Sequence, residues 1–112
     1  MAATDPLLAF EQAPAAALVR LGSRIRLARL RRQLRQEDLA AKIGRTRATV
    51  IAIEQGASGT EIGAYVSALW ALGLLQELEL VADPGLDRDG QALSFSVSDK
   101  RVRVRKPLNN NF

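Results

Sequence analysis

The sequence predicts an all-α fold: five helices over residues 14–82, followed by a short C-terminal β hairpin or flexible tail. Three observations predict it. Apolar residues recur at three- and four-residue intervals from Leu18 to Leu72, as one buried face of each helix requires. Gly44, Gly56 and Gly73 interrupt that pattern where helices should end. Beyond Gly90 the apolar period falls to two.

Residues 1–13 have few periodic apolar positions and read as a flexible N-terminal arm. Pro14 suits a first helical turn, where its missing N–H costs nothing. The first helix then runs to about Gln33, with Leu18, Leu21, Ile25 and Ala28 inward and the arginines outward. Gly22 is a weakness there, worth ~1 kcal/mol against Ala. The second helix spans Gln36–Ile43 and turns Leu39, Ala40 and Ile43 inward. Gly44 can take the left-handed conformation that ends it. Thr46 can cap the third helix, about Arg47–Gln55, whose inner residues are Val50 and Ile53. Ser58 and Glu61 have capping-box spacing before a fourth helix over about Thr60–Leu72, with Ile62, Tyr65, Val66, Leu69 and Leu72 inward. Leu74–Val81 forms a fifth, and the Asp/Pro/Gly-rich residues 83–90 close the helical part.

Residues 83–112 form a C-terminal extension for dimer or partner contact. Within it Leu93, Phe95 and Val97 alternate with serines, and Val102 and Val104 alternate with arginines. This is the pattern of a hairpin turning at Asp99-Lys100, although Asp-Lys is a poor turn pair. A lone hairpin is also barely stable, so a tail is the alternative.

Composition excludes much chemistry. The chain of 112 residues has no Cys and no His. Disulfides, thiolate metal sites and the usual neutral-pH acid–base group are therefore gone. The expectation is a protein that is not an enzyme and uses no cofactor or metal. The N-terminus lacks a basic n-region, and the longest apolar run, Ala68–Leu75, is far short of the ~20 residues needed to span a bilayer. A cytoplasmic protein is expected.

Charge is segregated. Residues 20–47 carry ten Arg/Lys and two acids, residues 48–99 one Arg and eight acids, and residues 100–112 five basic residues. Such basic blocks usually face a polyanion, and a solvated Arg-rich helix is the alternative. Membrane-surface binding fits less well, because the basic helix lacks an interfacial Trp or Phe.

Two short helices joined by a Gly-containing turn form a helix-turn-helix unit. Ala40 is small where the helices must cross, Gly44 follows by four, and Val50 and Ile53 fill the angle with Leu39 and Ile43. These residues, with Leu21-Gly22, Ile25-Arg26, Arg29, Gln36-Glu37-Asp38, Thr46, Thr49, Glu54-Gln55-Gly56 and Ala71-Leu72-Gly73, carry a resemblance. Over about residues 18–75 the chain resembles the lambda-repressor-like, Cro/C1-type (XRE) helix-turn-helix regulators. The run ADPGLDRDGQAL and then KRVRVRK is similar to antitoxin-type regulators encoded beside HipA-like toxin kinases.

The resemblance implies a sequence-specific repressor that binds double-stranded DNA as a homodimer on a pseudo-palindromic operator. Autoregulation of a toxin–antitoxin operon, with a HipA-like kinase as partner, is its extension. It implies base contacts from Arg47, Ala48, Thr49 and Ala52, and phosphate contacts from Arg35, Gln36, Arg45, Thr46 and Gln55. It implies a structural ion pair between Arg29 and Glu54. The sequence departs from the family at Ile51 and Ala52, where polar side chains are frequent, so base recognition leans on Arg47 and on DNA shape. The competing reading is a protein-binding adaptor or inhibitor that uses the same domain only as a scaffold. Trp70, beside the inner stripe of the fourth helix, either covers the core or marks such an interface.

Overall fold

The computed structural model describes the backbone of residues 6–101 and the side chains of residues 12–95. Among the described residues there are helices and turns and no strand: α1 (Pro6–Arg31), α2 (Gln36–Ile43), α3 (Arg47–Glu54), α4 (Ile62–Ala71), α5 (Leu75–Leu78) and α6 (Arg88–Arg101). The chain divides after Leu78 into two compact units. Among the described residues no helix is long and apolar enough to cross a membrane.

In the first unit, Ile25 and Ala28 of α1, Leu39 and Ala40 of α2, Val50 and Ile53 of α3, and Ala64, Tyr65, Ala68 and Leu72 of and after α4 make one core. Leu18, Leu21, Leu34, Ile43, Leu69 and Leu74 pack around it half-buried. Tyr65 spans core and surface: its ring is buried and its hydroxyl donates to the Ala57 carbonyl at 2.8 Å. That satisfies the one polar atom a tyrosine brings inward, and burial pushes the phenol's pKa up.

Four expectations are corrected. The flexible arm is not a coil where it is described: residues 6–13 continue α1 toward the N-terminus. Leu7, Leu8, Ala9 and Gln12 are good helix formers, and Pro6 rather than Pro14 occupies the first turn. Residues 1–5 lie outside the described residues.

The Ser58/Glu61 capping box does not form. Glu61 is the N-cap residue of α4 but accepts no capping bond, and its carboxylate pairs with Arg45 instead. The helix starts later, and Ile62 in its first turn is 76% exposed, while Ala64 and Ala68 occupy the inner face. The small alanines let α4 approach α2, and a face drawn through the largest apolar residues misses them.

The fifth helix is a single turn, Leu75–Leu78, because Leu80 and Val81 beyond it are exposed and gain nothing from burial. The hairpin's first arm, Leu93–Val97, lies inside helix α6. The Asp87 carboxylate accepts the Gly90 backbone N–H at 2.9 Å, an N-cap that starts the helix. Gln91 donates to the Pro84 carbonyl at 2.8 Å, tying the first turn to the preceding loop. The second arm, Val102 and Val104, lies outside the described residues.

Candidate nucleic-acid interface

The α2–α3 junction is fixed by backbone chemistry. Gly44 takes φ 67°, and the Arg45 N–H then bonds the Ala40 carbonyl at 3.0 Å, closing α2 with a six-to-one bond. Thr46 is extended, and its hydroxyl accepts the Thr49 N–H at 3.3 Å, opening α3. Three residues, Gly44-Arg45-Thr46, thus join two helices of eight residues each.

One face of α3 is anchored by Val50 and Ile53, both fully buried. The other presents Arg47 and Ala48, which are exposed, with Thr49, Ile51 and Ala52 half-buried beside them. Arg35 and Gln36 stand at the start of α2, Arg45 and Thr46 in the turn, and Arg47, Ala48, Thr49 and Ala52 along α3, and the Gln36–Arg47 bond brings the start of α2 to the start of α3. Gln55 is the C-cap residue of α3, roughly 12 Å along the axis from Arg47.

Behind this surface lies a chain of polar contacts. Glu54 is buried and receives Arg29 through two parallel bonds, Nε to Oε2 at 2.5 Å and a terminal nitrogen to Oε1 at 3.0 Å. Arg29 also donates to the Leu34 carbonyl at 2.7 Å, which ties the α1–α2 turn to the same pair. The bond to Glu54 raises the Arg29 pKa, so its charge is permanent. The Gln36 amide nitrogen donates to Glu54 Oε1 at 3.1 Å, and its oxygen accepts Arg47 Nε at 3.1 Å. One amide therefore links the buried ion pair to the exposed arginine. Gln36, expected as a phosphate contact, has both ends of its side chain engaged inside the protein.

The three arginines around the junction each face a carboxylate. Arg35 pairs with Asp38 at 3.1 Å, Arg47 lies 3.5 Å from Glu37, and Arg45 pairs with Glu61. Asp38 also accepts the Arg35 backbone N–H at 2.8 Å, which caps α2. The Arg35 side chain, and then its backbone N–H, hold the Asp38 carboxyl below its usual range. The sequence reading found none of these acids as part of the site. Asp38, three residues after Arg35, was legible as a local pair. Glu37 and Glu61 stand 10 and 16 residues from their partners, and only folding joins them.

Compared with known proteins, the chain matches no family model, no curated protein and no solved structure.

Proposed function

We propose that this chain is a sequence-specific DNA-binding repressor that acts as a homodimer, with α3 entering the major groove by its N-terminal turn. The observation that carries the reading is the first turn of α3. Arg47 and Ala48 are exposed there on a helix whose opposite face is locked into the core by Val50 and Ile53. Rigid support with a free reading edge is what base recognition requires.

Gln36 engages Arg47 at Nε, so the terminal guanidinium nitrogens carry the donors for guanine O6 and N7. Ala48, Ala52 and the Thr49 methyl supply apolar contact for thymine methyl groups. Arg35, Arg45 and Thr46 flank that edge and serve the phosphates, which fix register without reading sequence. Two copies would read half-sites about one helical turn apart.

Selection of sites from random duplex DNA tests the reading. The expected outcome is a pseudo-palindromic motif whose binding falls by ~1–3 kcal/mol in Arg47→Ala, with preference lost at one base pair per half-site. No enriched motif, or the same motif at the same affinity in the variant, would overturn it. Control of its own operon beside a HipA-like kinase is the extension; co-purification with a kinase-like product of the neighbouring gene tests that part.

A further inference from the structure

We infer that Glu37 is a specificity-determining residue of this surface: by facing Arg47 it suppresses sequence-independent binding to DNA phosphates, whereas Glu61, on the phosphate-contacting Arg45, lowers binding to every sequence alike. The inference rests on the DNA-binding reading and assigns a role to two acids which that reading leaves unused.

The geometry is the starting point. Glu37 lies on the exposed first turn of α2, with its carboxylate 3.5 Å from Arg47 Nε. Glu61 projects from the N-cap of α4 onto Arg45 across the α2–α3 turn, and its own side chain is 64% exposed. Glu37 stands in the first turn of α2, where its charge also suits the helix N-terminus, and neither acid makes a capping bond. The carboxylate that caps α2 belongs to Asp38. With Asp38 on Arg35, each of the three arginines of the junction has a carboxylate against it, so these charges are matched locally.

Balance affects the two kinds of DNA contact unequally. Non-specific binding is driven by counterion release, with a slope of about 0.9 per phosphate neutralised. An arginine already facing a carboxylate must give up that partner to take a phosphate, and the released carboxylate then repels the backbone. The exchange returns little. A guanine edge offers Arg47 two directional acceptors, and discrimination there comes from geometry rather than from net charge. The acid beside Arg47 therefore weakens the sequence-blind contribution more than the sequence-reading one, while the acid beside Arg45, which meets phosphate on any duplex, weakens both alike. This is specificity by a repulsive element, added to the attractive contacts with the correct site.

The experiment compares the full chain with Glu37→Gln, Glu61→Gln and the double variant. Each is titrated with the selected duplex and with a scrambled duplex, at several salt concentrations. Glutamine keeps size and polarity, and thermal melts followed by circular dichroism verify that each variant is folded. On the scrambled duplex, affinity is expected to rise roughly fivefold for each carboxylate removed, about one exposed charge–charge interaction in water. The salt slope should steepen by up to ~0.9 per freed arginine. On the selected duplex the gain of Glu37→Gln should be smaller, so its ratio of specific to non-specific affinity falls, whereas Glu61→Gln should raise both equally and leave the ratio unchanged. Equal gains on both duplexes for Glu37→Gln, or unchanged affinity and slope on the scrambled one, would overturn the inference while leaving the DNA-binding reading intact. A wild-type chain that binds no duplex would overturn both.

Discussion

Gly22 of α1 and Gly56 after α3 meet backbone to backbone: a Cβ added to Gly22 would stand 2.7 Å from the Gly56 amide nitrogen and 2.5 Å from the Ile53 carbonyl oxygen. A Cβ on Gly56 would in turn stand 2.5 Å from Val19 Cα. The long first helix thus lies directly on the end of α3, and no side chain can separate them. What sequence propensity scores as a weak point in α1 is the place where the fold needs a missing side chain.

Gly22→Ala should therefore destabilise the domain, despite improving helix propensity. The obstructing atoms are backbone, which cannot rotate away, so a loss of ~3 kcal/mol, at the upper end of overpacking costs, is expected. Gly44→Ala is the comparison. Gly44 is left-handed but has nothing within 4 Å of its added Cβ, so only the conformational cost of ~1–2 kcal/mol applies. Urea denaturation of the two variants gives the ranking; Gly44→Ala as the more damaging one would contradict the close approach.

Glu54→Ala should cost ~3–5 kcal/mol, because it strands Arg29 as an unpaired charge in a site where both side chains are less than a tenth exposed. Removing both charges should cost less than the two single changes together. A double-mutant cycle measured by denaturation tests this, and strict additivity would show that the pair is not coupled.

Gln36→Ala should change which base is preferred, not only how tightly DNA binds. A plain phosphate contact would weaken all sequences alike. Here the amide orients Arg47 from behind, at 3.1 Å, so its loss frees the guanidinium to sample other edges. Site selection with Gln36→Ala should relax the position that Arg47 reads. Arg45→Ala, by contrast, should weaken all sites evenly.

Asp38 predicts an acid-side pH dependence. The Arg35 side chain and backbone N–H favour the ionised carboxylate, so its folded pKa lies below the unfolded one. The folded chain then binds fewer protons, and the resulting stability is present above about pH 4 and disappears as pH falls through the folded value. Wild type should thus exceed Asp38→Asn in stability at pH 7 and converge with it as the pH falls through the folded value. A gap that stays constant over that range would rule out the ionised form as the source.

Asp87→Ala should loosen α6 by ~0.5–2 kcal/mol, the usual worth of an N-cap. Helical circular dichroism should fall in the variant. A segment that paired as a hairpin would show no such loss.

Much of the fold was legible because local chemistry fixed it. The spacing of Leu39, Ala40, Gly44, Val50 and Ile53 determined two short helices and the turn between them, and the structure buries four of those five residues. Thr46 was readable as a cap because an N-cap needs only its own first turn. Period-two alternation in Leu93–Val97 misled, since alternation expresses a strand only where a partner strand satisfies the backbone, whereas Asp87, just before α6, satisfies the start of that helix locally. What no local pattern contains is the meeting of distant residues. Gly22 against Gly56, Gln36 between Glu54 and Arg47, and Glu61 on Arg45 each join residues from separate helices or turns. The sequence by itself determined α2, the turn and α3 and which of their residues face inward; the tertiary structure decided which distant charges neutralise one another, because a Coulomb contact depends on distance in space and carries no periodic trace along the chain.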